Sequence, residues 1–319
     1  MGNMSIEERF IAALQNQSLQ ELRTIEKSDL HNHAIMGGSI RYLSDSISVR
    51  LNSVNNNFSS ISEMDAWSAK NIDPYFIGFK GYLKRIEAAF LNALHDGVSH
   101  LCMSFSLGEV ISFREPSLFI KLVTRLHKKY APNIVFLPEL SICRDSRIDF
   151  ATEKVNEILS FNWFKSIDIC GDELYQPIKN FAKIYRIAQS KNLILKAHVG
   201  EFGFADDVCE AVEVLCLSQV HHGISACNSQ QVMRWLSKNN IQLNICPTSN
   251  IKLGIISSYK NHPIKTLYDY GIPVSINTDD MLLFNQSVSE EYLNLFRANT
   301  LSAKELNEIR LRGLKCVDF

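Results

Sequence analysis

The sequence predicts an α/β fold: a (β/α)8 barrel of the TIM type, with a helical lid inserted after the first strand. Three observations predict it. Eight short β-rich runs alternate with amphipathic segments of helical period, and parallel strands need such crossover connections. The 319 residues suit one large barrel, so residues 1–319 read as a single domain. Histidines and carboxylates fall at the C-terminal ends of the runs, where a barrel builds its active site.

In chain order the predicted strands are 28–34 (SDLHNHA), 99–106 (SHLCMSFS), 133–142 (NIVFLPELSI) and 166–173 (SIDICGDE). They continue with 193–201 (LILKAHVGE), 219–224 (QVHHGI), 241–250 (IQLNICPTSN) and 273–280 (PVSINTDD). Helical patterns lie between them, as at 177–192 and 228–239. Ser5 to Glu8 and Ser302 to Glu305 each read as a capping box opening a helix. The segment 41–95 breaks the rhythm; it is rich in Ser and Asn over 44–63 and aromatic over 75–83, and it reads as the lid over the barrel mouth.

Composition narrows the partners. Apolar residues make up 46% and charged residues 21%, enough for a large core. The net charge of −1 gives no electrostatic reason to expect nucleic acid or a membrane surface, so a small ligand fits better. No apolar run approaches a membrane span, and the MGNMSIEERF start lacks a secretory pattern. Ile6 stands where a myristoylation signal after Met-Gly wants Ser or Thr. Eight cysteines, from Cys102 to Cys316, form no C-x-x-C pair, which points to reduced thiols and a cytoplasmic protein.

His31 and His33, two apart on one strand, share a face and can point inward together. With His198 and Asp279 they make three imidazoles and a carboxylate, a donor set for one zinc ion per chain. Such a metal lowers the pKa of a bound water and supplies a hydroxide nucleophile. Glu201 is the candidate proton carrier, His222 the group that orients the hydroxide, and Asp280 a substrate contact. His95, His100, His127 and His262 lie away from the strand ends and read as structural. His221 is expected on the face of its strand opposite His222, as packing.

H-x-H near the N-terminus, then KAHVGE, HHG, CPTSN and NTDD in that order, resemble the adenosine deaminase family of metal-dependent barrel hydrolases. The segment 262–284 and the SEEY after it match most fully. The resemblance implies zinc on His31, His33, His198 and Asp279, with Glu201 protonating purine N1. It further implies attack at C6 by a hydroxide held by His222 and Asp279, with loss of ammonia. Asp280 would meet N7, and the backbone of Gly171 would meet N3. One position departs: the family's Asp after H-x-H, which contacts the ribose 5′-hydroxyl, is Ile35 here. Ile35 cannot accept that hydrogen bond, so a 5′-modified adenosine is expected to suit it as well as or better than adenosine.

The expected partner is thus a purine nucleoside, with oligomeric state open. Deamination of an N6-substituted adenine nucleotide and a non-catalytic purine-binding barrel stay as alternatives. A two-metal barrel hydrolase is disfavoured because the fourth run ends in CGDE with no lysine. A cytidine-type deaminase is excluded by the missing H-x-E and P-C-x-x-C signature.

Overall fold

The computed structural model describes residues 4–54 and 57–315. The Met-Gly start and Cys316 therefore lie outside the described residues. All eight predicted strands are present and parallel. Lys27–Asp29 (β1), Val98–Ser106 (β2), Val135–Cys143 (β3), Ser166–Cys170 (β4) and Ile194–Leu195 (β5) pair in chain order. His198–Val199 (β6), Gln219–His222 (β7), Gln242–Ile245 (β8) and Val274–Ile276 (β9) continue the series.

β5 and β6 are two pieces of the single run expected at 193–201. The ring is not open between them, since Lys196 N–H donates to Ile167 O at 2.9 Å and His221 N–H to Ala197 O at 2.9 Å. At the other seam, Asp279 N–H donates to His31 O at 2.9 Å and His33 N–H to Asp279 O at 3.3 Å. First and last strands thereby meet, and the barrel closes.

Several predicted runs outlast their strands. CPTSN does not continue β8: Pro247–Lys252 is a short helix opened by Pro247, whose fixed φ suits a first helical position. Both predicted capping boxes are present, on helices Ile6–Gln15 and Ala303–Lys315. No helix among the described residues is long and apolar enough to cross a membrane, and the seven described cysteines are all free.

The described part of the segment 41–95 is largely helical, with Ile40–Ile47, Ile61–Asn71 and Gly78–His95 as its main pieces. Gly78–His95 packs beside β2 and Pro116–Tyr130 as the crossover helix of the first β/α unit, so the inserted part precedes it. A separate apolar cluster, with Leu43, Phe58, Met64 and Ile72 against Leu253, Leu282 and Phe284, seats the insertion on the barrel. Arg85 ties it down, bonding Asp73 Oδ1 at 2.7 Å and Ile35 O at 2.8 Å.

Barrel interiors are normally layers of Val, Ile and Leu. Part of this one is ionic. Lys196 Nζ lies 2.8 Å from Glu139 Oε2, which also accepts from Ser166 Oγ at 2.7 Å. His221 joins this group, with Nε2 3.2 Å from Glu139 Oε1 and its ring 3.8 Å from that of His31. The expectation that His221 turns away from His222 therefore fails. His221 pairs in register with His198 and faces inward as His198 does. His222 also reaches the site because its backbone is left-handed, at φ 62°, which breaks the alternation at the strand end.

Candidate active site

The site lies at the C-terminal mouth of the barrel. Asn32, between the two histidines, turns away from them: its amide donates to Thr278 Oγ1 at 2.9 Å, and Asp29 accepts from the Thr278 hydroxyl at 2.6 Å. This stitch between β1 and the segment after β9 leaves His31 and His33 facing the centre. Their Nε2 atoms lie 3.3 and 3.2 Å from the same oxygen, Asp279 Oδ1. The His198 ring centroid is 4.6 Å from that of His31 and 5.4 Å from that of His33. Asp279 itself is held at φ 60°, a strained conformation of the kind found where function over-determines a residue.

Candidate ligand atoms of His31, His198, His222 and Asp279 all lie within 4.8 Å of one another. His33, Asp279 and Asp280 form an overlapping group with Asp279 in common. The residues fit a metal ion on one further observation: His31 is fully buried and neither ring nitrogen makes a hydrogen bond. Leaving a buried polar atom unpaired costs about 1–3 kcal/mol, and a cation removes that cost at the one ring nitrogen it would bind. Three imidazoles with a carboxylate are donors suited to a borderline ion such as zinc.

His198 is oriented from behind. Its Nδ1 sits 2.9 Å from Asp168 Oδ2, which leaves Nε2 free to face the cluster. Asp168 was not among the residues singled out from the sequence, although its inward position in β4, two before Cys170, could have marked it. Asp168→Asn is expected to weaken metal binding about 10–100-fold, as for other carboxylates behind ligating histidines. Competition with a chromophoric chelator measures it, and unchanged affinity would remove Asp168 from this role.

Glu201 is buried, and its Oε1 has no hydrogen-bond partner. Burial pushes its carboxyl well above the usual range, and the carboxylates of Asp279, Glu173 and Asp280 add to the effect. The shift favours the protonated form of this carboxyl. Glu173 fixes the loop that carries it, accepting the backbone N–H groups of Gly200, Glu201, Phe202 and Gly203. No spacing rule links residue 173 to 200–203, so sequence reasoning passed over this cradle. Burial also pushes Asp280 up to about 7, against the opposing pull of His33.

These groups line a cavity of about 260 Å³ together with Gly171 and Ile35. Gly171 has φ 89°, and a Cβ there would meet Cys143 Sγ at 2.9 Å, so only glycine brings bare backbone to this wall. Met36, Ile61, Met64 and Leu253 make one side apolar, while Asp65, from the insertion, and Glu109 are acidic. Every residue singled out from the sequence for the site thus lines this cavity or, for His31, stands directly behind it. A larger cavity, about 1070 Å³, lies at the opposite end of the barrel beside the starts of β7, β8 and β9.

The chain is similar to known proteins over most of its length. It is 28% identical over 280 residues to a Treponema pallidum (strain Nichols) protein named as an adenosine/adenine deaminase, covering 88% of this chain and 94% of that one. Its fold matches adenine deaminase from Arthrobacter aurescens with a TM-score of 0.80 at 20% identity, covering 92% and 94%. The N6-methyl-AMP deaminase of Arabidopsis thaliana matches with a TM-score of 0.74 at 20% identity, covering 93% of each chain. The sequence profile named adenosine deaminase matches residues 142–317, more than half of the chain. The chain belongs to the adenosine deaminase family, and is a deaminase of the metal-dependent amidohydrolase kind.

Proposed function

We propose that the protein hydrolyses the C6 amino group of an adenine nucleoside to give the inosine-type product and ammonia. The observation that carries this reading is the buried Glu201 carboxyl, whose Oε1 makes no hydrogen bond, beside a cluster of three histidines and Asp279. C6 of a purine is a poor electrophile until N1 takes a proton, so a retained proton at Glu201 answers the central chemical demand. His31, His33, His198 and Asp279 are the residues that would hold zinc, which when bound supplies a hydroxide at neutral pH. His222 orients the attacking oxygen from Nε2, 3.7 Å from Asp279 Oδ2. N7 and N3 of a purine are acceptors. Asp280, pushed up to about 7, can offer N7 its proton, and the Gly171 N–H can meet N3. The seven cysteines among the described residues, all free, support a reducing compartment, the cytoplasm.

The sugar side of the cavity supports a nucleoside with an apolar 5′ group. Ile35, Met36, Ile61 and Met64 offer no acceptor to a 5′-hydroxyl, which leaves Asp65 and Glu109 as the lining carboxylates that could accept from one. The lining, drawn from the described residues, has no lysine or arginine, which argues against a 5′-phosphate and so against the nucleotide alternative. The small cavity, and the base named for the Treponema relative, favour free adenine as a second reading.

The test is a panel of adenine, adenosine, 5′-deoxyadenosine, 5′-methylthioadenosine and AMP, followed by loss of adenine absorbance and release of ammonia. The two 5′-modified nucleosides are expected to give the highest kcat/KM and AMP the lowest. Preference for adenine selects the second reading, and no turnover of any aminopurine by zinc-loaded protein ends the first. Ile35→Asp is expected to raise kcat/KM for adenosine relative to 5′-deoxyadenosine by about 3–10-fold, the worth of one hydrogen bond. An unchanged ratio places the 5′ end elsewhere.

A further inference from the structure

Three side chains behind the site form one directional chain. The backbone N–H of Ile264 donates to His262 Nδ1 at 3.1 Å. His262 Nε2 lies 3.2 Å from Asn250 Oδ1, and Asn250 Nδ2 lies 3.2 Å from His222 Nδ1. His222, Asn250 and His262 are all buried, so water does not compete for these positions. Asn250 ends the CPTSN motif and His262 opens the segment 262–284, both part of the resemblance, but the resemblance assigns neither a role, and His262 reads from sequence as structural.

The chain has one consistent proton assignment. A backbone N–H can only donate, so His262 Nδ1 must be the bare nitrogen. A neutral His262 then carries its proton on Nε2 and gives it to Asn250 Oδ1. That bond settles which end of the amide is which, a choice that heavy-atom positions leave open. The Asn250 amino group accordingly faces His222 and donates to Nδ1. The opposite amide orientation would face His262 Nε2 with a second donor and leave that ring with no place for a proton. Burial, which pulls His262 down to about 3, agrees with a neutral ring. Glu201 Oε1 stands 3.5 Å from His222 Nδ1 but makes no hydrogen bond there.

We propose that Asn250 and His262 are positioning residues that lock His222 as the Nε2–H tautomer. This rests on the reading of His222 given above and deepens it. A protonated Nε2 has no lone pair for a cation, so His222 stays out of the metal shell although it lies within ligand distance of it. Of the donors gathered around Asp279, the shell then falls to His31, His33, His198 and Asp279 itself. The Nε2–H is left aimed past Asp279, where it can hold the attacking oxygen as a donor. The anchor of the tautomer is a main-chain amide at the start of helix Ile264–Asp269, which cannot change its role.

The test uses zinc-loaded protein with 15N-labelled histidine. Long-range 15N–1H spectra of the wild type are expected to show His222 with its proton on Nε2 alone. A proton on Nδ1, or on both nitrogens, overturns the relay. His262→Phe removes the link, and is expected to lower kcat about 100-fold with KM within about threefold and zinc content unchanged, the scale of a misplaced proton-handling group. Its His222 signal should lose the single-tautomer pattern. His262→Gln, whose amide can accept from Ile264 N–H and donate to Asn250, should recover kcat to within about tenfold of wild type. Equal losses in the two variants, or a loss that tracks zinc content, overturn the positioning role. If His262→Phe does not fold, the wild-type spectrum still decides. A tautomer that follows the relay while kcat stays constant counts against the catalytic reading of His222 and not against the relay.

Discussion

Replacing Glu201 with Gln is expected to lower kcat by about 10³-fold, within the 10²–10⁴ range of general acid–base catalysis, and to leave zinc and KM nearly unchanged. The change is close to isosteric, and the four main-chain N–H groups that hold this loop bond to Glu173, not to residue 201. The loop therefore keeps its shape. A glutamine can still donate a hydrogen bond to purine N1, which preserves binding, but it cannot transfer a proton. Binding is retained while the transition state loses its acid, so the loss appears in kcat. The pH profile carries the same information. The carboxyl is raised above its usual range and works in its protonated form, so the wild-type rate falls as pH climbs through that raised pKa. The Gln variant should lack that limb. Steady-state kinetics beside a metal assay check both, and a rate within tenfold of wild type excludes Glu201 as the acid.

Stripping the metal with a chelator is the second large effect. Turnover should fall below detection and return on addition of zinc. Asp279→Ala should behave as the stripped protein does but without recovery, because Asp279 lies against His31, His33 and His222 at once. Stability should move in step. With no cation, His31 is a fully buried imidazole that makes no hydrogen bond. A ligand held only by the native state adds about 4 kcal/mol at a thousandfold excess over its Kd. The thermal midpoint of wild type should therefore rise on zinc addition, while Asp279→Ala stays where it is. A chelated protein that keeps its activity, with no metal by elemental assay, defeats the metal-dependent chemistry altogether.

Much of this molecule is legible in one dimension. Strand-period runs alternate with helix-period segments because a parallel strand must be followed by a crossover, so the barrel announces itself in sequence order. His31 and His33 are readable as a pair because residues two apart on an extended chain share a face, and the chain stays extended just past β1, where Asn32 and His33 bridge to Asp279 and Ser104. His198, His222, Glu201, Asp279 and Asp280 are readable as a group because the ends of all barrel strands converge on one mouth. The same alternation misjudged His221, since His222 leaves the regular backbone at φ 62° and both rings end up inside. A residue's departure into left-handed backbone is a response to its packing, and a linear pattern does not contain it.

The supporting groups were hidden for a related reason. Asp168 is separated from His198 by 30 positions, Glu173 from the 200–203 loop by about as many, and Asn250 from His222 by 28. Each is an ordinary polar residue on its own, and each acquires meaning only from a hydrogen bond made across neighbouring barrel units. By itself the sequence determined which residues could carry metal and proton chemistry and the closed parallel frame that gathers them, because periodicity and strand polarity are local properties of a chain. Only the tertiary structure decided which ring nitrogen faces the cluster, that Glu201 Oε1 is buried without a hydrogen bond, and which polar groups stand behind His198 and His222. Those are properties of burial and direction, and they exist only once distant segments are packed against one another.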